Sequence, residues 1–162
     1  MLGFPSEFLQ VPYGQAVIRA ARGELDLALS SDADLLRLSR QRNDPNGLIL
    51  GLLAFGRDLL FSGRFSLSRS PLEEVLTSYD RTAHSSLVRQ AGIHPHVNAR
   101  AALGVVLFCL GYLDQGLELS NASVAEARRL AHPSTLASTL AWSTRLLSLG
   151  EDYSALVRGL SN

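Results

Sequence analysis

His94-Pro95-His96 sets two imidazoles two residues apart, a spacing that lets both reach one metal ion from an extended segment. A third ligand has to come from elsewhere, and His84 and Asp80 are nearest in sequence. The plainer reading, loop and helix-cap histidines, is preferred, so no metal is expected. Cys109 is the only cysteine. Paired with a histidine it would be a nucleophile, but Phe108 and Leu110 flank it in the most apolar stretch. A thiol buried there packs as a small hydrophobe with a raised pKa. Glu73-Glu74 and Asp32/Asp34 are paired acids, the residue types of general acid–base work if a cleft splits their pKa values. Ser70, Pro71 and Glu73 instead spell a helix start with a capping box. All 15 basic residues are arginine, which excludes a phosphate-loop lysine, a lysine Schiff base and a lysine general base. Arg37, Arg40, Arg42 and Arg128-Arg129 are read as basic helix ends that answer the helix dipole, not as a nucleic-acid surface. The expectation is a non-enzyme with no catalytic residue and no cofactor.

The elements that would position such residues follow from composition and pattern. A chain of 162 residues with 46% hydrophobic and 19% charged side chains fits one globular domain. The 15 acidic and 15 basic groups cancel, so no global field draws in nucleic acid or an anionic membrane. One cysteine forbids an internal disulfide and a cysteine-rich zinc site. Met1 to Gln10 lacks the pattern of a secretory signal. The longest apolar run, Ala101 to Leu113, is too short for a bilayer. A cytoplasmic protein or fragment, with no membrane and no nucleic-acid partner, is expected.

Four glycines act as rulers: Gly23, Gly63, Gly111 and Gly150. Seven residues before each stands a small residue, Ala16, Gly56, Gly104 or Ser143. Five residues after each stands another, Ala28, Ser68, Gly116 or Ala155. A glycine ends one helix because it takes left-handed backbone cheaply. The small residues let two antiparallel helices cross closely. Pro45 and Pro133, each 22 residues after a glycine, belong in the first turn of the next helix, where the missing N–H costs nothing. Asp44 and Asn43 compete to cap the helix at Pro45. Helices are expected near 12–22, 24–41, 46–61, 70–80, 96–110, 114–131, 134–148 and 151–160, with tight corners at the four glycines. Ser85 fills the proline position of the second unit and Pro95 comes ten residues late. Thr82 to His96 therefore holds an extra helical turn or a long loop.

The small–Gly–small spacing resembles the tetratricopeptide-type repeat in a longer, divergent form. Leu52 fits that family's bulky position in the leading helix, whereas Arg100 departs from it. Three phrases, Ala20 to Leu29, Leu110 to Leu117 and Ala127 to Pro133, are similar to the C-terminal helical region of large bacterial signalling proteins. In those proteins a class III adenylate/guanylate cyclase domain or a transcriptional effector is followed by a regulatory ATPase module. The metal-binding aspartates of the cyclase and the phosphate loop of the ATPase belong to other domains, so neither activity attaches to this chain. The resemblance implies an all-α, right-handed solenoid of about four tetratricopeptide-like hairpins over 12–162, with 1–11 as an N-terminal extension. Its concave side would take a protein or peptide. By the family's pattern, Arg57, Asn98 and Thr144 point into that groove, and Arg57 could hold a carboxylate bidentately. The expected role is a non-catalytic interaction or regulatory module of a signalling protein. The alternative is a small-molecule effector domain, with Leu53, Leu60, Val105 and Phe108 in the groove. A last helix, 151–160, without a polar cap would dock on another domain or on a second copy of the chain.

Overall fold

A computed structural model describes residues 7–84 and 86–160. Among them the elements are all helical: α1 (Glu7–Ala21), α2 (Leu25–Gln41), α3 (Pro45–Phe61), α4 (Phe65–Ser78), α5 (Leu87–Ala91), α6 (Pro95–Cys109), α7 (Leu113–Leu130) and α8 (Pro133–Leu160). None is long and apolar enough to cross a membrane among the described residues.

Three of the four glycine corners form as expected. Gly23, Gly63 and Gly111 have φ of 77°, 74° and 92°. At Gly63 the Arg64 N–H donates back to the Leu59 carbonyl at 2.9 Å, and at Gly111 the Tyr112 N–H donates to Leu107 at 2.9 Å. These six-to-one bonds satisfy carbonyls that the ending helix leaves over. Between hairpins, Asn43 and Asp44 divide the work. Asn43 takes the left-handed turn with φ of 50°, and Asp44 Oδ1 accepts from the N–H groups of Asn46 and Gly47.

The fourth corner is not there. α8 runs unbroken from Pro133 to Leu160, so Gly150 lies inside a helix and the expected helices 134–148 and 151–160 are one. A glycine weakens a helix interior by only about 1 kcal/mol, too little to end one where nothing demands a positive φ. The expectation of four hairpins therefore reduces to three, α1–α2, α3–α4 and α6–α7, followed by one long helix. Ala155, matched to this fourth unit, has its side chain outside the described residues.

Two other expectations shift. α4 begins at Phe65, directly after the Gly63 corner, and Pro71 sits inside it. The Ser70 cap and its box with Glu73 do not form; Glu73 accepts instead from Arg69 Nε at 2.7 Å, one turn back. Helix α1 starts at Glu7, within the stretch read as an extension. The Thr82–His96 segment contains both a turn and the short α5, which closes on Gly92 with φ of 70°. Ser85 lies outside the described residues.

Each helix packs on its successor, α5 aside, and α1, α3, α6 and α8 also touch one another in that order. Helices α2, α4 and α7 lie between them, each against the helix before and the helix after. One core runs through the set, from Leu35 and Ile49 through Leu53, Leu72 and Val106 to Trp142 and Leu146. The small residues sit at the crossings. A Cβ on Gly116 would lie 2.6 Å from the Gly104 carbonyl oxygen, so at that point the two backbones touch. At the α3–α4 crossing Ser68 Oγ donates to the Gly56 carbonyl at 2.6 Å.

Candidate functional site

Among the described residues, two cavities lie on the face made by α1, α3, α6 and α8. One, of about 450 Å³, lies over the α1–α2 corner and is lined by Val17, Ala20, Leu25, Arg57 and Phe61. The other, of about 260 Å³, is bordered by Arg57, Phe61, Ile93, Asn98, Trp142 and Arg145. Arg57 and Phe61 belong to both, so the two form one trough with these side chains as the divide.

Local sequence explains the placement. Arg57 and Phe61 are four residues apart on α3, hence on the same face one turn apart. Trp142 and Arg145 stand three apart on α8, again on one face. Phe61 stacks on Trp142 with ring centroids 5.6 Å apart and planes at 19°. The Arg145 guanidinium lies over both rings, 5.2 Å from Phe61 and 5.4 Å from Trp142, within cation–π range. Trp142 is buried, but Phe61 keeps 41% of its surface exposed.

Of the three residues expected in the groove, the structure brings two together. Arg57 and Asn98 border the same cavity. Asn98 is buried and its Nδ2 donates to Ser138 Oγ at 2.5 Å. Thr144 is exposed, does not line either cavity, and donates its hydroxyl to the Leu140 carbonyl in its own helix. A helix rotates by about 100° per residue, so Thr144 cannot share the face that Arg145 presents. The effector reading placed Leu53 and Val105 in the groove, but both are fully buried in the core, where α3 and α6 meet. Leu60 is buried as well, and Phe108 borders a separate cleft with Cys109, Leu113 and Leu149. Burial pushes the Cys109 thiol up, which leaves it a packing group.

Beneath the trough lies a buried charged cluster that the pairing of Asp32 with Asp34 does not anticipate. Asp34 is exposed and pairs with Arg37 at 3.2 Å. Asp32, two residues earlier, faces inward and is fully buried, as is Asp58 on α3. Arg57 Nε donates to Asp58 Oδ1 at 3.3 Å, while its Nη2 is buried without a hydrogen-bond partner. Burial first, then the Asp58 carboxylate, push Asp32 up to about 8. Burial also raises Asp58, against the pull of Arg57. Burial likewise raises the Tyr13 phenol on α1, again against Arg57. One arginine cation thus faces two carboxyls, and the cheapest neutral arrangement keeps a proton on Asp32. Sealed from solvent, the pair cannot meet a substrate and holds a proton instead.

The histidines do not converge on a metal. Among the described residues no group of three or more His, Cys, Asp or Glu side chains is placed to hold one. Tyr79 takes the central place, with ring centroids 5.3 Å from His84, 5.2 Å from His94 and 5.6 Å from His96. Asp80, considered as a third ligand, spends its Oδ1 on the N–H groups of Thr82 and Ala83.

The sequence reading missed Phe61, Trp142 and Arg145. The signals were faint: a lone tryptophan with an arginine one turn on, and a phenylalanine one turn after Arg57. Compared with protein-family models, with curated proteins and with solved structures, the chain gives no match.

Proposed function

We propose that this chain is a non-catalytic binding module whose α1–α3–α6–α8 face takes up an extended peptide or a segment of a partner protein. The observation that carries the reading is the trough itself. Two cavities share Arg57 and Phe61, and the floor at that junction is a half-exposed aromatic stack under an arginine. Aromatic and arginine anchors of this kind dominate binding energy where partners meet. The succession of contacts, leading helices in one row and trailing helices wedged between, supports a tetratricopeptide-type stack with three complete hairpins. Taken with the phrases at Ala20 to Leu29 and Ala127 to Pro133, it supports a regulatory module of a bacterial signalling protein. The effector alternative asks for a closed pocket with convergent buried polar groups; here the buried acids lie beneath the trough.

The test is a selection of peptides from a displayed library on the intact chain, followed by affinity measurement with three variants. Phe61→Ala and Arg145→Gln should each weaken the selected peptides about tenfold or more. Arg57→Ala should do so as well, although it strands Asp58. Unchanged affinity in Phe61→Ala and Arg145→Gln would remove the trough as the binding face.

A further inference from the structure

We propose that the cavity at the start of α6, lined by Tyr79, Arg81, His94 and His96, binds a small free oxyanion of the phosphate or sulfate class. The site lies apart from the trough and its argument is independent of it.

The first observation is an uncapped helix start. Helices α3, α6 and α8 each begin with a proline, so the donors to be satisfied in each first turn are the same. In α3 the Asp44 carboxylate accepts from Asn46 and Gly47. In α8 His132 Nδ1 accepts from the Thr135 N–H at 3.3 Å. In α6 the residue in that place, His94, makes no side-chain cap. Its ring is turned onto Tyr79, 5.2 Å between centroids, and its backbone N–H donates to Thr135 Oγ1 at 2.8 Å. The His96 and Val97 N–H groups, which correspond to Asn46 and Gly47, are thus left as donors at the positive end of a 15-residue helix, the arrangement that favours an anion.

The second observation is independent of the helix. His94 is only 6% exposed, and its Nδ1 is buried with no hydrogen-bond partner. A buried polar nitrogen left unpaired costs about 1–3 kcal/mol, which a ligand oxygen could recover. The third is charge. Arg81, Arg100 and Arg129 all turn to one carboxylate, Glu126, at 3.1, 2.8 and 3.6 Å. Three cations on one anion leave the neighbourhood positive. Arg81 borders the cavity with its side chain 64% exposed, so it can turn from Glu126 to an incoming anion while Arg100 stays.

Donor chemistry selects the ligand. Guanidinium and backbone N–H groups repel a metal ion and fit an oxyanion. The cavity, about 140 Å³, suits a single tetrahedral ion. Of the other titratable groups around it, Glu126 holds Arg81 and has to release it while it stays paired with Arg100 and Arg129. Asp80 is occupied by Thr82 and Ala83, His84 packs on Tyr79, and His132 bonds Thr135. Burial first lowers both His94 and His96, with the arginines pushing the same way and the Glu126 carboxylate pulling against them; each therefore offers one N–H as a neutral ring, and an anion bound beside them favours their protonation.

The experiment titrates inorganic phosphate into the intact chain by calorimetry at pH 6 and pH 7.5, with chloride at matched ionic strength as control. Saturable binding to one site is expected at both pH values. Arg81→Gln should weaken it about tenfold, while Arg37→Gln, on an exposed pair elsewhere, should leave it unchanged. The histidine NMR signals of His94 and His96 should move with phosphate. Free phosphoserine should bind more weakly, because the cavity has no room for the attached amino acid. No binding beyond the chloride control, equal binding in Arg81→Gln, or tighter binding of phosphoserine than of phosphate would each overturn the proposal.

Discussion

The two halves of the molecule bury different things. Between α2 and α3 the N-terminal half buries charge: Asp32, Asp58 and most of Arg57. Between α6 and α7 the C-terminal half buries bare backbone, with Gly104 and Gly116 pressed carbonyl to Cα. The first junction keeps a proton between its acids, whereas the second has no room for a side chain where its two glycines meet. Glycine also changes meaning along the C-terminal half. Gly111 holds left-handed backbone at a corner, whereas Gly150 is one helical residue among many.

The sharpest way to break this contrast is Gly116→Ala. A Cβ there meets the Gly104 carbonyl at 2.6 Å and the Phe108 backbone nitrogen at 3.0 Å, and neither can rotate away. The two helices must separate, at about 3 kcal/mol, read as a drop of about 10 °C in the thermal midpoint. A loss under about 1 kcal/mol would mean that the two backbones do not touch there.

The N-terminal junction is tested by pH. Asp32 binds its proton up to about 8 in the folded chain, while in the unfolded chain it ionises near 4. The folded state therefore holds the extra proton, and stability falls as pH rises between those values. Below about 6.5 the lowered His94 and His96 act oppositely, since the unfolded chain takes up their protons first. The clean window is pH 6.5 to 8, with a loss of up to about 1.4 kcal/mol per unit. Urea unfolding across that window should show the slope, and Asp32→Asn should flatten it. A flat wild-type profile would place the proton elsewhere.

The smallest effects carry the sign of the glycine comparison. Gly111→Ala forces a Cβ into left-handed backbone and should destabilise by about 1–2 kcal/mol. Gly150→Ala should stabilise by about 0.5–1 kcal/mol, since its Cβ would meet Phe108 Cζ at an ordinary 3.5 Å. Thermal midpoints that fall in both variants would restore the fourth corner.

How far each part was legible depends on what information it needs. The all-helical class, the corners at Gly23, Gly63 and Gly111, and the prolines opening α3 and α8 follow from backbone preferences that act within a few residues. Gly150 and Pro71 defeat the same logic. A glycine is allowed in a helix as well as at its end, and a proline seven residues into α4 costs one hydrogen bond that packing at Leu72 and Val75 offsets. Of the candidate site, Arg57 and Asn98 were reachable through the repeat spacing, but Thr144 inherited its place from a corner that does not exist.

What the amino-acid order settled by itself is local: where the chain turns left-handed, where a helix can open on proline, which residues are small enough for a close crossing. The tertiary structure decided what meets across the helices: Asp32 with Asp58, Phe61 with Trp142 under Arg145, Tyr79 among three imidazoles. Torsion preferences are written residue by residue, whereas desolvation, stacking and charge pairing depend on distances between helices, which exist only once the chain has packed.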